Sequence, residues 1–351
     1  MINLLIILFL EFNNCNKNEL FVKKFNNNTK NNHNYFNQSF YLDKTYLKKK
    51  NLIFGLIENY SFNTILPFFK SLVKANFENC DTVIFVRYVS SKIINYLRKI
   101  GVFIFGIPKQ YKNVSSINVR WKMYSDFLKD KKNKYNLILH TDIRDTFFQK
   151  DIFKYYENYH QPFLGVAIED GNLNENKNKK WIINYVGEEI YKKIKNERII
   201  CAGQVWGTFD KFLEFSSILW QELIANPEAI DQGICNYLIY YKRILRNYLI
   251  KSDNYGPIMT LGLTDVNKIS LDCNENILNF QNEIASIIHQ YDRKENLVKI
   301  VKRKFCPELD IFSNKAKKNI IFLSILIQFL IIILSLKIKV FQYNIILKIY
   351  K

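Results

Sequence analysis

No CxxC pair occurs in this 351-residue chain, and its six cysteines, Cys15, Cys80, Cys201, Cys235, Cys273 and Cys306, are scattered. Zinc sites draw on closely spaced thiolates, so this spacing argues against zinc ligation. The same cysteines could form disulfides if the chain faces an oxidising lumen, in a pairing that spacing leaves open. Glycine is scarce as well, at 11 residues. The stretch IFGLIENYSFN, at the first apolar run after residue 50, holds one glycine where a phosphate-cradling loop needs several. That argues against nucleotidyl transfer. There is no internal repeat, and no stripe of arginine alternates with stacking aromatics, so the formal net charge of +19 does not mark a nucleic-acid partner. The lysines lie among Asn, Ile and Tyr all along the chain, giving a generally basic surface that favours anionic ligands or anionic membranes.

What is present is apolar: hydrophobic residues make up 48% and aromatics 15%, enough for one large core or two modest ones. The two ends differ from the middle. NLLIILFL, residues 3–10, is too short to span a bilayer and reads as the core of a signal peptide over residues 1–12, although no positive residue precedes it. Residues 13–50, rich in Asn and Lys, read as a flexible stem. NIIFLSILIQFLIIILSL, residues 319–336, carries no charge and reads as a transmembrane helix followed by a basic tail, 337–351; the alternative is a buried core helix. Lysines on both sides leave its orientation open. Sequons at Asn27, Asn37, Asn59 and Asn113 are compatible with a lumen, but so Asn-rich a chain produces such triplets by chance.

Between the ends, residues 51–310 read as a folded domain. IFGLI (53–57), DTVIFV (81–86), VFIFGI (102–107) and LILH (137–140) are short apolar runs suited to buried strands. Residues 64–77, 90–101 and 121–130 carry the helical period, the second opening on serines and closing on glycine. Alternation of this kind predicts right-handed crossovers and a mostly parallel sheet. Strand ends of such a sheet border the crevice where ligands bind, and the fourth strand runs straight into TDIRD.

Asp142 could simply cap a turn there, and Asp145 could pair with Arg144 or a lysine. Three further stretches point elsewhere: ICAGQVWG (200–207), DQGICNYL from Asp231, and SIIHQYD (286–292), which sets His289 after an apolar run. Asp142, Asp145 and His289 are the residue types that hold a hard divalent cation beside a nucleotide diphosphate. Arg144 or Arg120 could hold the phosphates, and Gly203 and Gly207 allow close backbone approach to a sugar. Asp231 could equally cap the helix it opens, and His289 could be a half-buried core histidine. Glu169 and Asp170 follow the strand-like FLGVAI as candidates for acceptor contact, and GNLNENKNKK (171–180) reads as a polar loop able to act as a lid.

The order of TDIRD, FQKDIF, a CAGQVWG turn, DQGICNYL and HQYD resembles nucleotide-sugar-dependent glycosyltransferases of the GT-A fold, above all eukaryotic proteins with a TDVRDVxFQxDPF signature. The resemblance covers roughly residues 50–305. It implies an α/β domain of Rossmann-like type, with a mixed, mostly parallel sheet flanked by helices. It also implies metal-dependent transfer of a sugar, with Mn²⁺ or Mg²⁺, from a nucleotide-diphospho-sugar to a hydroxyl of a glycan, protein or lipid. Membrane tethering in the secretory pathway, Golgi or ER, goes with it. By the resemblance Asp142, Asp145 and His289 hold the metal, while Asp142, Arg144, Arg120, Gly203 and Gln232 bind the donor. Asp231 and Asp170 are then the candidate catalytic carboxylates. Asp142 matches the first acid of a DxD element, but Arg144 stands at the second, so Asp145 must serve through a turn. That departure is the best support for the alternative, a catalytically inactive membrane-anchored protein that binds carbohydrate or a partner; against it, Asp142, Asp145, Asp231 and His289 are all still present.

Overall fold

The computed structural model describes residues 49–308. The signal segment, nearly all of the stem, the 319–336 span and the basic tail lie outside the described residues. Among the described residues no helix is long and apolar enough to cross a membrane.

The expected first four strands form: β1 (Lys50–Glu58), β2 (Cys80–Arg87), β3 (Phe103–Gly106) and β4 (Tyr135–Thr141). They are mutually parallel in the order β3-β2-β1-β4. The crossovers are α1 (Phe62–Ala75), α2 (Ser91–Lys99) and α3 (Ser116–Leu128). Ser61 caps α1, accepting the Thr64 N–H at 3.2 Å. Helix α3 starts five residues before the expected position, because the polar SINV turn supplies Asn118 and Val119 to the buried side.

After β4 come β5 (Thr146–Phe148), a short α4 (Ile152–Tyr155) and β6 (Leu164–Asn172). Next are α5 (Asn176–Ile194), β7 (Arg198–Thr208), α6 (Phe209–Ala225) and α7 (Asp231–Asn236). The sheet continues β4-β7-β6-β8, with β8 at Leu249–Ser252 and only β7 antiparallel to its neighbours. This is the mixed, mostly parallel sheet flanked by helices that the sequence predicts. The last segment adds β9 (Ile258–Thr260), the hairpin β10 (Ser270–Leu271) and β11 (Ile277–Leu278), β12 (Ile287–His289) and α8 (Glu295–Phe305). A small second sheet runs β5-β12-β9.

Both faces of the main sheet are buried, so β1 reads as a continuous apolar run. Leu52 and Phe54 face Tyr124 of α3 and Phe212 of α6, whereas Ile53 and Ile57 face Phe68 and Phe69 of α1. Phe54 stacks on Tyr124 with centroids 4.5 Å apart. Removing such a ring from a packed interior typically costs ~3–5 kcal/mol.

Two expectations need correction. CAGQVWG is not a turn but the middle of the eleven-residue strand β7, buried at nine of its positions. Gly207 serves strand packing rather than a sugar: a Cβ there would lie 2.5 Å from the Phe163 carbonyl oxygen. Residues 171–180 are not a lid loop, since β6 runs to Asn172 and α5 starts at Asn176. The Glu175 carboxylate accepts from the N–H groups of Lys177 and Asn178, which turns a polar stretch into a capped helix start.

Candidate active site

Beyond β4 the chain makes the turn that holds the charges. Ile143 points into the core, 2% exposed, and a Cβ on Gly55 of β1 would lie 2.7 Å from its tip. Glycine at that point leaves the space the isoleucine anchor fills. Asp142 N–H donates to the Gly203 carbonyl at 2.9 Å, and Gln290 N–H donates to the Asp145 carbonyl at 2.7 Å. Under the turn, buried Gln204 Nε2 donates to the hydroxyls of Thr141 (2.7 Å) and Thr146 (3.0 Å). The turn is therefore fixed by backbone and side-chain bonds on both flanks.

Because β5 pairs antiparallel with β12, His289 falls opposite Thr146, next to Asp145. His289 Nε2 lies 3.7 Å from Asp142 Oδ2 and 3.5 Å from Asp145 Oδ1. One ligand atom from each of the three residues lies within 4.8 Å of the others. The D-x-R-D spacing thus brings its second acid to the same point as its first. His289 is 1% exposed and its Nε2 has no hydrogen-bond partner. A buried ring nitrogen facing two carboxylates without bonding either fits a divalent cation held by one nitrogen and two oxygen donors.

Burial opposes charge on all three groups, and their mutual attraction outweighs it. Against burial, Arg120 and His289 hold the Asp142 carboxyl well below its usual range, and His289 also lowers Asp145. Burial alone would depress His289, yet Cys201, Asp145 and Asp142 raise it well above the ordinary imidazole value. Nearby His140 goes the other way: burial, then Arg120, push it well below that value. Its Nδ1 meets the Tyr124 hydroxyl at 3.0 Å, and its Nε2 lies 3.9 Å from Asp142 Oδ1.

The remaining predicted residues fall into separate places. Arg120 is buried between two carboxylates rather than open to a ligand: Nη1 bonds Asp142, while Nη2 and Nε donate to Asp231 Oδ2 at 2.6 and 3.2 Å. Trp121 Nε1 donates to the same oxygen at 2.9 Å. Asp231 is the first residue of α7 and makes no side-chain cap. Gln232 ties helices to the sheet, accepting from Ala202 N–H and donating to Asn178 Oδ1. Gly203 does border the cluster, since a Cβ there would sit 2.5 Å from Asp142 Oδ2 and 2.8 Å from His289 Cε1. Asp170 is tied elsewhere, to Asn254, Thr264 and Arg198. Its neighbour Glu169 is buried beside Cys201 and Gln232, with Oε1 lacking a hydrogen-bond partner.

Arg144 is half-exposed, 3.1 Å from Asp145 Oδ2 and 3.6 Å from Asp292. Arg293, also half-exposed, reaches within 4.0 Å of the same Asp145 oxygen. Sequence reading passed over Arg293, as it did His140 and Cys201. Its signal was DRK immediately after HQY, charge of the right sign four residues past His289.

No protein-family model and no curated protein matches the chain. Among solved structures, the glycosyltransferase GlyE of Streptococcus pneumoniae TIGR4 is similar at 15% identity and a TM-score of 0.41, over 69% of this chain and 54% of its own. The chain thus matches about half the length of GlyE. The galactosyltransferase LgtC, in complex with donor and acceptor sugar analogs, is similar at 14% identity and a TM-score of 0.41, over 68% of this chain and 86% of its own. Likeness at this level leaves the activity to be argued from the side chains of the chain itself.

Proposed function

We propose that this protein is a GT-A-type glycosyltransferase that moves a sugar from a nucleotide-diphospho-sugar to an acceptor hydroxyl, with a divalent cation, Mn²⁺ or Mg²⁺. The observation that carries the proposal is the convergence of Asp142, Asp145 and His289 within 4.8 Å, where the turn after β4 meets β12. When bound there, a divalent cation supplies charge that offsets the charge of the leaving diphosphate. Arg144 and Arg293, both open to solvent beside Asp145, add two guanidinium forks for the same phosphates. Arg120, fastened by Asp231, whose carboxylate also accepts from Trp121, sets the position of the Asp142 carboxylate. Gly203 keeps β7 low enough for Asp142 and His289 to meet. For an inverting transfer, Asp170, with its side chain 28% exposed, is more open to an acceptor hydroxyl than Asp231, with its side chain 4% exposed. The same reading sets the domain in the secretory pathway, tethered by residues 319–336.

Thermal unfolding of the full-length chain in detergent, with UDP- and GDP-sugars and with or without Mn²⁺, tests the proposal. Donors of one nucleotide should stabilise the protein only when Mn²⁺ is present, by about 2.7 kcal/mol at a hundredfold excess over Kd. A folded protein that no donor shifts would sink the transferase reading. Donor binding without nucleotide release on adding acceptors would indicate the non-catalytic form.

Acidity gives a second test. A raised His289 holds a proton on the nitrogen that a cation needs, so cation and proton compete. Mn²⁺ affinity should therefore increase as pH rises through neutrality, by up to about tenfold per unit where one proton is displaced. Calorimetric titration between about pH 6 and 8 checks this, and a flat profile contradicts it.

A further inference from the structure

The back of the His289 ring is as specifically built as its front. Cys201 and Gly203 lie where the register between β6 and β7 shifts, and both meet the imidazole: the Cβ that Gly203 lacks would touch its Cε1 at 2.8 Å, and Cys201 Sγ lies 3.6 Å from its Nδ1. Glycine thus provides room for the ring and cysteine meets its far nitrogen. Behind the thiol stands Glu169, on the neighbouring strand. Ala167 pairs with Cys201, so Glu169, two residues further along β6, is the diagonal neighbour that a long side chain can reach. The Glu169 carboxyl lies beside the thiol, 4% exposed, with Oε1 lacking a hydrogen-bond partner. Cys201 is itself 1% exposed, and Asp170, the other acid of the pair, is committed to Asn254 and Thr264.

We propose that Cys201, backed by Glu169, is the positioning residue of His289: its sulfur accepts the Nδ1 proton, its own proton turns toward the Glu169 carboxylate, and the ring is held so that Nε2, once a cation displaces its proton, turns its lone pair to the site between Asp142 and Asp145. The inference rests on the metal-dependent reading above. A histidine that ligates through one nitrogen needs its other nitrogen held, usually by a carboxylate or carbonyl. Here a thiol is interposed, so the carboxylate acts through one more atom.

The test is Mn²⁺ affinity, measured calorimetrically on the full-length protein, for wild type, Cys201→Ala, Cys201→Ser and Glu169→Gln. Loss of an outer partner of a metal-ligating histidine weakens metal binding by roughly 10–100-fold, and Cys201→Ala should fall in that range. A serine hydroxyl accepts and donates as the thiol does, so Cys201→Ser should restore most of the affinity. A purely structural cysteine predicts another order, because alanine then suits an apolar site better than serine and metal affinity follows neither. Glu169→Gln should show a smaller loss in the same direction, and it carries the test if Cys201→Ala does not fold. Wild-type Mn²⁺ affinity in a folded Cys201→Ala, or equal losses in the alanine and serine variants, overturns the relay and leaves the metal reading standing. A wild-type protein that takes up no Mn²⁺ overturns both.

Discussion

Asp145→Asn is expected to abolish the Mn²⁺-dependent stabilisation by donor and to lower kcat/KM by at least about 100-fold, ~2.7 kcal/mol of transition-state stabilisation. Asparagine preserves the shape, and the Asp145 carbonyl still accepts the Gln290 N–H, so the turn should persist. What disappears is the charge. His289 Nε2, 3.5 Å from the carboxylate oxygen, then faces one acid instead of two, and Arg144 loses the carboxylate it pairs with at 3.1 Å. Arg144 is half-exposed, so its pair with Asp145 adds little stability, but Asp145 itself is buried against His289, and some fall in melting temperature is expected beside the loss of the metal-dependent shift. Asp170→Asn is the control, because its bonds to Asn254 and Thr264 lie apart from the cluster and Mn²⁺ binding should stay as in wild type. If Asp145→Asn keeps the metal-dependent shift, the three-residue cation site is wrong.

Arg120→Met should cause the larger loss of stability. The guanidinium is 5% exposed and joins Asp142 to Asp231, itself 3% exposed. Deleting one partner of a buried ion network leaves uncompensated charge and typically costs ~3–5 kcal/mol. In a domain of this size that corresponds to a fall of roughly 10 °C in Tm. Trp121 Nε1 alone would remain on Asp231 Oδ2, too little to support the buried charge. Pairing the change with Asp231→Asn should recover part of the loss, since the two residues share one network. Arg120→Lys keeps a charge but not the fork that reaches two acids at once, so an intermediate stability is expected. A variant Arg120→Met that melts within a degree or two of wild type would show that the network does not hold the fold.

Much of the main sheet was legible because a strand buried on both faces must be mostly apolar, and the runs IFGLI, VIFV and LIL are. Their parallel pairing followed from the helices between them. CAGQVWG was misread as a turn because glycine signals a turn and a close packing contact equally well; at Gly207 only the Phe163 backbone beside it tells them apart. The start of α5 was misread for a related reason, since a polar run suits both a loop and a helix entered through a capping Glu175.

The sequence by itself determined the chemical types at the candidate site: two acids three apart after a buried strand, and a histidine far along the chain with cations behind it. The tertiary structure alone decided which of them meet. Asp145 reaches His289, 144 positions further along the chain, because β5 pairs with β12, a register fixed by backbone bonds that no local pattern encodes. It also decided that Arg120 turns inward to Asp231, because the energy of a buried charge depends on what surrounds it in space, not on its neighbours in sequence.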